Sequence, residues 1–128
     1  IRYALHSCTA KTIDKLNIYQ TSRYAMCQAI KKLKPDQNKS FILVDGPRPI
    51  KKIDLPQQAI IKGDRHIFAI AAASIIAKVY RDKLMVRYAK RFREYGFEKH
   101  KGYGTIYHRQ KIKKHGLCPL HRKSFRLF

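Results

Sequence analysis

The sequence predicts an α/β domain. A short, continuously apolar run bounded by turn residues, Phe41-Ile-Leu-Val44, has the character of a strand covered on both faces of a sheet, and Gln58 to Lys62 reads as a second buried strand. Long segments with helical apolar spacing, Ile18 to Leu33 and the stretch beginning near Phe68, lie before and after them. At 128 residues the chain is one domain or part of one, and strands alternating with helices define the class.

Taken in order, Ile1 to Cys8 alternates loosely, Tyr3, Leu5 and Ser7 against Ala4, His6 and Cys8, and reads as a strand. Thr9 is suited to cap a short helix reaching Leu16. In the next segment Ile18, Ala25, Ala29 and Leu33 recur at helical spacing, with Met26 and Ile30 beside them. Lys31, Lys32 and Lys34 favour its C-terminal end, and Pro35 stops it. A polar loop, Asp36 to Ser40, leads to the first apolar strand. Gly46-Pro-Arg-Pro49 is a rigid turn, and the connection through Pro56 leads to the second strand, which Gly63 breaks. The longest helix is expected from about Phe68 to about Tyr95, with Ala73, Ile76, Ala77, Tyr80 and Leu84 on one face and Gly96 as its C-terminal cap. Phe97 to Gly104 reads as a basic loop punctuated by glycine. Thr105 caps a further helix through about His115, ended by Gly116, and a basic and apolar tail runs from Leu117 to Phe128.

Charge narrows the class of partner. Lysine and arginine number 29 against 8 aspartates and glutamates, a formal net charge of +21, and 45% of residues are hydrophobic. A core can form, and the surface field favours a polyanion, foremost nucleic acid. A membrane surface fits less well, because the basic residues are spread along the chain and not gathered on one amphipathic helix. No apolar run reaches spanning length. Cys8, Cys27 and Cys118 are odd in number and far apart, with no Cys-x-x-Cys pair. They read as buried, reduced thiols of a cytoplasmic protein, not as a zinc site or a disulfide framework.

Several residues stand where chemistry is done. Asp45 follows four apolar strand residues and precedes Gly46, beyond the carboxyl end of a strand, where ligands of open α/β sheets bind; an Asp-Gly turn accounts for it equally well. Asp64 follows Lys62-Gly63 at the threshold of a helix, where capping is the plainer explanation. Together, two carboxylates at neighbouring strand ends can share a hard divalent cation, which in a chain of this charge suggests metal-assisted phosphodiester hydrolysis. Lys62, Ser74, Lys78 and Arg81 could hold phosphates nearby. The i, i+4, i+8 stripe of Ser74, Lys78 and Asp82 is also what a solvated helix face with a Lys78–Asp82 pair would show, and spacing favours that reading. Tyr103, between Gly102 and Gly104 and beside Lys99, His100 and Lys101, is placed to stack on a sugar or base, or else to anchor its loop. His121-Arg122-Lys123-Ser124-Phe125 contacts phosphate or packs Phe125 back on the domain, and spacing does not choose between these.

The segments Leu43-Val-Asp-Gly46, Ile61-Lys-Gly-Asp64, Ile70-Ala-Ala-Ala-Ser-Ile-Ile-Ala-Lys-Val-Tyr-Arg-Asp82, Tyr95-Gly-Phe97, His100-Lys-Gly-Tyr-Gly-Thr105 and Pro119-Leu-His-Arg-Lys-Ser-Phe125 resemble bacterial ribonuclease HII in order and spacing, and Ile13-Asp-Lys-Leu-Asn-Ile18 resembles its first helix pair. The resemblance covers the whole chain. It implies an RNase H-like fold, a mixed sheet flanked by helices, and an endonuclease that cleaves the RNA strand of RNA–DNA hybrids and nicks duplexes at embedded ribonucleotides with magnesium or manganese. Four carboxylates hold the metals in that family; Asp45 and Asp64 match the third and fourth. Tyr103 matches the tyrosine that stacks on the sugar at the RNA–DNA junction. The helix bearing Ser74, Lys78 and Arg81 matches a family motif to which no metal role is carried, and Lys62, Lys101, His121 and Arg122 are further candidates for nucleic-acid contact.

The family's Asp-Glu-Ala-Gly-Arg-Gly strand has no counterpart here, the only acids before Asp45 being Asp14 and Asp36. It supplies the first two carboxylates and the backbone that reads the 2′-hydroxyl. Residues 1–128 are therefore expected to be the C-terminal two thirds of such a domain, lacking its N-terminal strands, and to be inactive alone; the complete protein is expected to be a cytoplasmic monomer. Arg65-His-Ile-Phe68 stands where the family usually has small polar residues. The alternative is a non-catalytic, basic nucleic-acid-binding remnant of the same fold.

Overall fold

The computed structural model describes residues 1–126 and divides into two compact units, Ile1–Ile76 and Ala77–Phe128. The expected tail therefore extends past the described residues at positions 127 and 128. The element order is mixed α/β, in keeping with an RNase H-like fold.

In the first unit, α1 (Ala10–Leu16) begins where Thr9 accepts the Thr12 amide on its side chain. Asn17 ends it and starts α2 (Ile18–Leu33): its backbone takes a φ of +64°, and its side chain accepts the Gln20 amide. Lys34 closes α2 in the left-handed region, one residue before Pro35. Strand β1 (Ile42–Asp45) pairs in parallel with β2 (Gln57–Ile60), with Ile42 opposite Gln57 and Asp45 opposite Ile60. The pleat sends Val44 into a small core with Cys27 and Ile50, bordered by Met26, Ile30, Ile42 and Ile53. Gln57 closes the connection between the strands. Its Oε1 accepts the Ile50 amide, while its Nε2 donates to the carbonyls of Ile50 and Ile53.

Three sequence expectations are corrected. Ile1 to Cys8 is not a strand: the two-stranded sheet offers it no ladder, and hydrogen bonds to α2 hold it instead, Lys32 Nζ donating to the Leu5 carbonyl at 2.8 Å and the Arg2 side chain donating to the Leu33 carbonyl. The strand expected to end at Lys62 stops at Ile60, because Lys62 is left-handed (φ +54°) and starts a 3-10 turn over Gly63–Arg65. The long helix α3 (Phe68–Arg91) ends four residues early. Phe92 leaves helical geometry, and a 3-10 turn over Arg93–Tyr95 follows. Its inward face also differs in detail, with Ala73 and Ala77 exposed and Ile70, Met85 and Ala89 buried.

In the second unit the core is Met85, Ala89, Tyr95, Phe97, Ile112 and Cys118, with Tyr88, Phe92 and Leu120 against it. Part of the expected loop after Gly96 is a single helical turn, α4 (Phe97–His100). Gly96 is needed at its start: φ is +71°, and a Cβ would lie 2.6 Å from Cε1 of Tyr107. Helix α5 (Ile106–His115) begins with Thr105 accepting the His108 amide and ends at Gly116 (φ +78°). Cys27 and Cys118 are buried and Cys8 half-buried, all as free thiols; burial pushes the Cys8 and Cys118 thiols up, away from nucleophilic use. Among the described residues no helix is long and apolar enough to cross a membrane.

Candidate functional site

The candidate residues fall into two groups, one in each unit. In the first, Asp45 is the last residue of β1, half-buried, opposite Ile60 of β2. The Gly63 amide donates to its Oδ1 at 2.9 Å. This bond ties the end of β1 to the turn that carries Asp64, which is exposed. A carboxylate offers about four lone-pair positions, so the Gly63 bond leaves Asp45 able to bind a cation as well.

Gly63 is there for space. A Cβ on it would lie 2.7 Å from Cδ1 of the buried Ile70 and 3.3 Å from Cβ of Ile60. Gly63→Ala is expected to destabilise the protein by about 1–3 kcal/mol through overpacking at this turn. The check is urea denaturation, where an unchanged midpoint would show that Ile70 yields without cost.

The donor set fits a hard divalent cation. Asp45 and Asp64 are oxygen donors on one strand end and the adjoining turn, and magnesium fills its octahedron with waters and substrate phosphates when few carboxylates are supplied. They fit as contributors and not as a complete cage: among the described residues no three His, Cys, Asp or Glu side chains are grouped to hold a metal. A groove of about 400 Å³ elsewhere in this unit is lined by Lys31, Lys34 and Lys52 among others, and by neither aspartate.

The candidate phosphate-binding residues are dispersed. Lys62 is exposed beside Gly63, and Ser74 is exposed on α3. Lys78 donates to Asp82 Oδ2 at 2.7 Å and is held protonated by that hydrogen bond, as the solvated-stripe reading expects, while Asp82 Oδ1 is buried without a partner. Arg81 reaches the Lys101 carbonyl at 3.5 Å, and Lys101 turns back on Glu98.

In the second unit Tyr103 is 55% exposed, consistent with a ring free to stack. Its backbone, by contrast, is tightly held. The Tyr103 amide donates to the His100 carbonyl at 2.8 Å, and the Tyr103 carbonyl accepts the Thr105 amide at 2.8 Å and His108 Nδ1 at 2.9 Å. Arg122 lies over the Phe125 ring at 4.5 Å, with Phe125 still 48% exposed. His121 does not point to solvent as an unattached phosphate ligand would: the Cys118 amide donates to its Nδ1 at 2.9 Å and its Nε2 lies 3.0 Å from Nε2 of His108.

His100, His108 and His121 form a cluster around Phe97 that sequence reasoning missed. Its members come from α4, α5 and the tail, so no periodicity announces them; the only local sign is the density of histidine, tyrosine and phenylalanine between Tyr95 and His108. The rings of His100 and His108 stack at 4.1 Å. Burial lowers the pKa of both His108 and His121, reinforced at His108 by His100 and His121 and at His121 by His100. A histidine with a folded pKa below its unfolded value near 6.5 binds its proton more readily when unfolded. The resulting stability is complete above pH 6.5 and is lost as pH falls through 6.5 towards the folded values. The urea midpoint followed by tyrosine fluorescence is expected to be lower at pH 5.5 than at pH 7.5; equal midpoints would refute it.

The family model for ribonuclease HII matches residues 2–128. Ribonuclease HII of Pelodictyon phaeoclathratiforme is 46% identical over 125 residues, covering 98% of this chain and 60% of that protein. The Chlorobium chlorochromatii ribonuclease HII is 46% identical over 127 residues, covering 99% and 61%, and that of Endomicrobium trichonymphae is 46% identical over 123 residues, covering 96% and 58%. The chain thus spans about 60% of the length of these relatives. With the model match running from residue 2 to its last residue, the chain belongs to the ribonuclease HII family.

Proposed function

We propose that this chain is the larger part of a divalent-metal-dependent endoribonuclease that hydrolyses the RNA strand of RNA–DNA hybrids and nicks DNA at embedded ribonucleotides. The observation that carries this reading is the pairing of Asp45 at the end of β1 with the Gly63–Asp64 turn after β2, in a chain of net charge +21. Magnesium or manganese held by these carboxylates would supply charge neutralisation at the scissile phosphate and activation of water. Asp45 and Asp64 contribute two of the carboxylates and the chain's basic surface draws in the duplex. Tyr103 stacks on the sugar at the RNA–DNA junction, and Lys62, Ser74, Lys78, Arg81, Lys101 and Arg122 are its companions in contacting the backbone; His121, with both ring nitrogens engaged by Cys118 and His108, is not one of them.

The test uses a labelled duplex with one ribonucleotide. The 128-residue chain is expected not to nick it with magnesium. A chimaera carrying the part of the Pelodictyon protein that the chain does not cover is expected to nick it 5′ or 3′ of that ribonucleotide and not in an all-DNA control. Cleavage by the chain alone would refute the need for further carboxylates. A folded but inert chimaera that binds equally with and without magnesium would instead support the non-catalytic binding module.

A further inference from the structure

The hydrogen-bond partners of the buried His108 and the half-buried His121 fix where each proton sits. The Cys118 amide donates to His121 Nδ1, so that nitrogen carries the lone pair and the proton of the neutral ring lies on Nε2. At His108 the order is reversed. Its Nδ1 faces the Tyr103 carbonyl, which can only accept, so the proton lies on Nδ1 and the lone pair on Nε2. The two Nε2 atoms are 3.0 Å apart, so His121 donates to His108. The result is one directed chain: Cys118 amide, His121, His108, Tyr103 carbonyl. His100 flanks it, accepting the Gly102 amide on Nδ1 and placing Nε2 against the Tyr95 carbonyl at 2.9 Å.

We propose that His121 is a positioning residue for Tyr103, acting through His108 to hold the Tyr103 backbone so that its exposed ring meets the nucleic acid. The inference rests on the reading of Tyr103 as a stacking residue. Gly102 and Gly104 give this loop no side chains of their own with which to pack, and Gly102 has a φ of +83°. The ring is therefore placed from its backbone, and the histidines supply part of that hold. A neutral pair is essential to it. A proton added to His108 Nε2 meets the His121 N–H, and one added to His121 Nδ1 meets the Cys118 amide. The titratable groups facing the pair give no relief: His100 stacks on His108, Tyr95 lies 5.1 Å from the His121 ring, Tyr107 flanks His100, and the field of Glu94 reaches Tyr95 and Cys118. Burial opposes the charged form in the same direction.

Two measurements on the 128-residue chain decide it. Long-range proton–nitrogen spectra at pH 7.5 are expected to show His108 protonated on Nδ1 and His121 on Nε2. The opposite or averaged tautomers would overturn the relay, and this arm needs no variant. The second is the Kd for an RNA–DNA hybrid duplex without metal. His121→Leu is expected to weaken binding about fivefold, the worth of one lost hydrogen bond, and His121→Gln, which keeps an N–H donor, to recover most of it. In a Tyr103→Ala background His121→Leu is expected to add nothing. A full fivefold loss there would overturn the proposal, because His121 would then act independently of Tyr103. If Tyr103→Ala alone left Kd unchanged, the stacking reading would fall, and the tautomer spectra would judge the relay by themselves.

Discussion

Asp45→Asn in the chimaera is expected to lower magnesium-dependent nicking by about a thousandfold or more while leaving the fold intact. The substitution isolates charge. Asparagine keeps a carbonyl oxygen where Asp45 Oδ1 accepts the Gly63 amide, so the tie between β1 and the following turn survives. What is lost is an anionic ligand, and about 4 kcal/mol of transition-state stabilisation corresponds to roughly that factor in rate. Initial rates on the single-ribonucleotide duplex provide the measure, with hybrid binding in the absence of metal expected to be unchanged. A variant that kept the parental rate would remove Asp45 from the metal site.

The largest loss of stability is expected from Phe97→Ala, about 3–5 kcal/mol. Among the described residues Phe97 is the most deeply buried large side chain, at 1% exposure. Its ring stacks on Tyr95 at 5.5 Å and meets His100, His108 and His121 edge-on or tilted at 5.5–5.7 Å. Truncation leaves a cavity bordered by histidines whose nitrogens are already committed, so the walls cannot close without breaking the Tyr103 clamp. Since whole domains have only about 5–15 kcal/mol in hand, the loss would remove a large share of that reserve. Urea titration by circular dichroism tests it; a loss below about 1 kcal/mol would mean that the cluster stands without the ring.

What was legible in the sequence is what local chemistry decides. Thr9 and Thr105 cap the helices they were expected to cap, Pro35 and Gly116 lie just past the ends they were expected to impose, and the apolar run before Asp45 forms a strand, though not one covered on both faces, since Val44 is buried while Phe41 and Leu43 are exposed. Where the outcome depended on a distant partner, pattern alone failed. The alternation of residues 1–8 resembles a strand, but a strand exists only where another offers its amides and carbonyls. The α3 terminus was misplaced because helical spacing continues past Arg91, whereas the packing of Tyr95 and Phe97 requires the chain to turn. Asp45 and Asp64 were singled out on a local sign, a carboxylate at an expected strand end; Asp45 does end β1, whereas Asp64 lies in the 3-10 turn beyond β2. The Gly63 bond that relates them is tertiary, as is the histidine relay assembled from α4, α5 and the tail.

The β1–β2 pair has a practical consequence for handling the protein. Among the described residues each of its strands has one neighbour, so each keeps an outer row of amides and carbonyls unsatisfied by another strand. Phe41 and Leu43 lie exposed on the first strand and just before it. Such an edge invites a second molecule to add on, and the restraint is colloidal: with a net charge of +21, neighbouring molecules repel one another before their edges can meet. That repulsion is long-ranged only while ions are scarce, shrinking to about 8 Å at physiological ionic strength. The protein is therefore kept dispersed by dilute buffer and driven towards precipitation by the concentrated salt commonly used to strip nucleic acid from a basic protein.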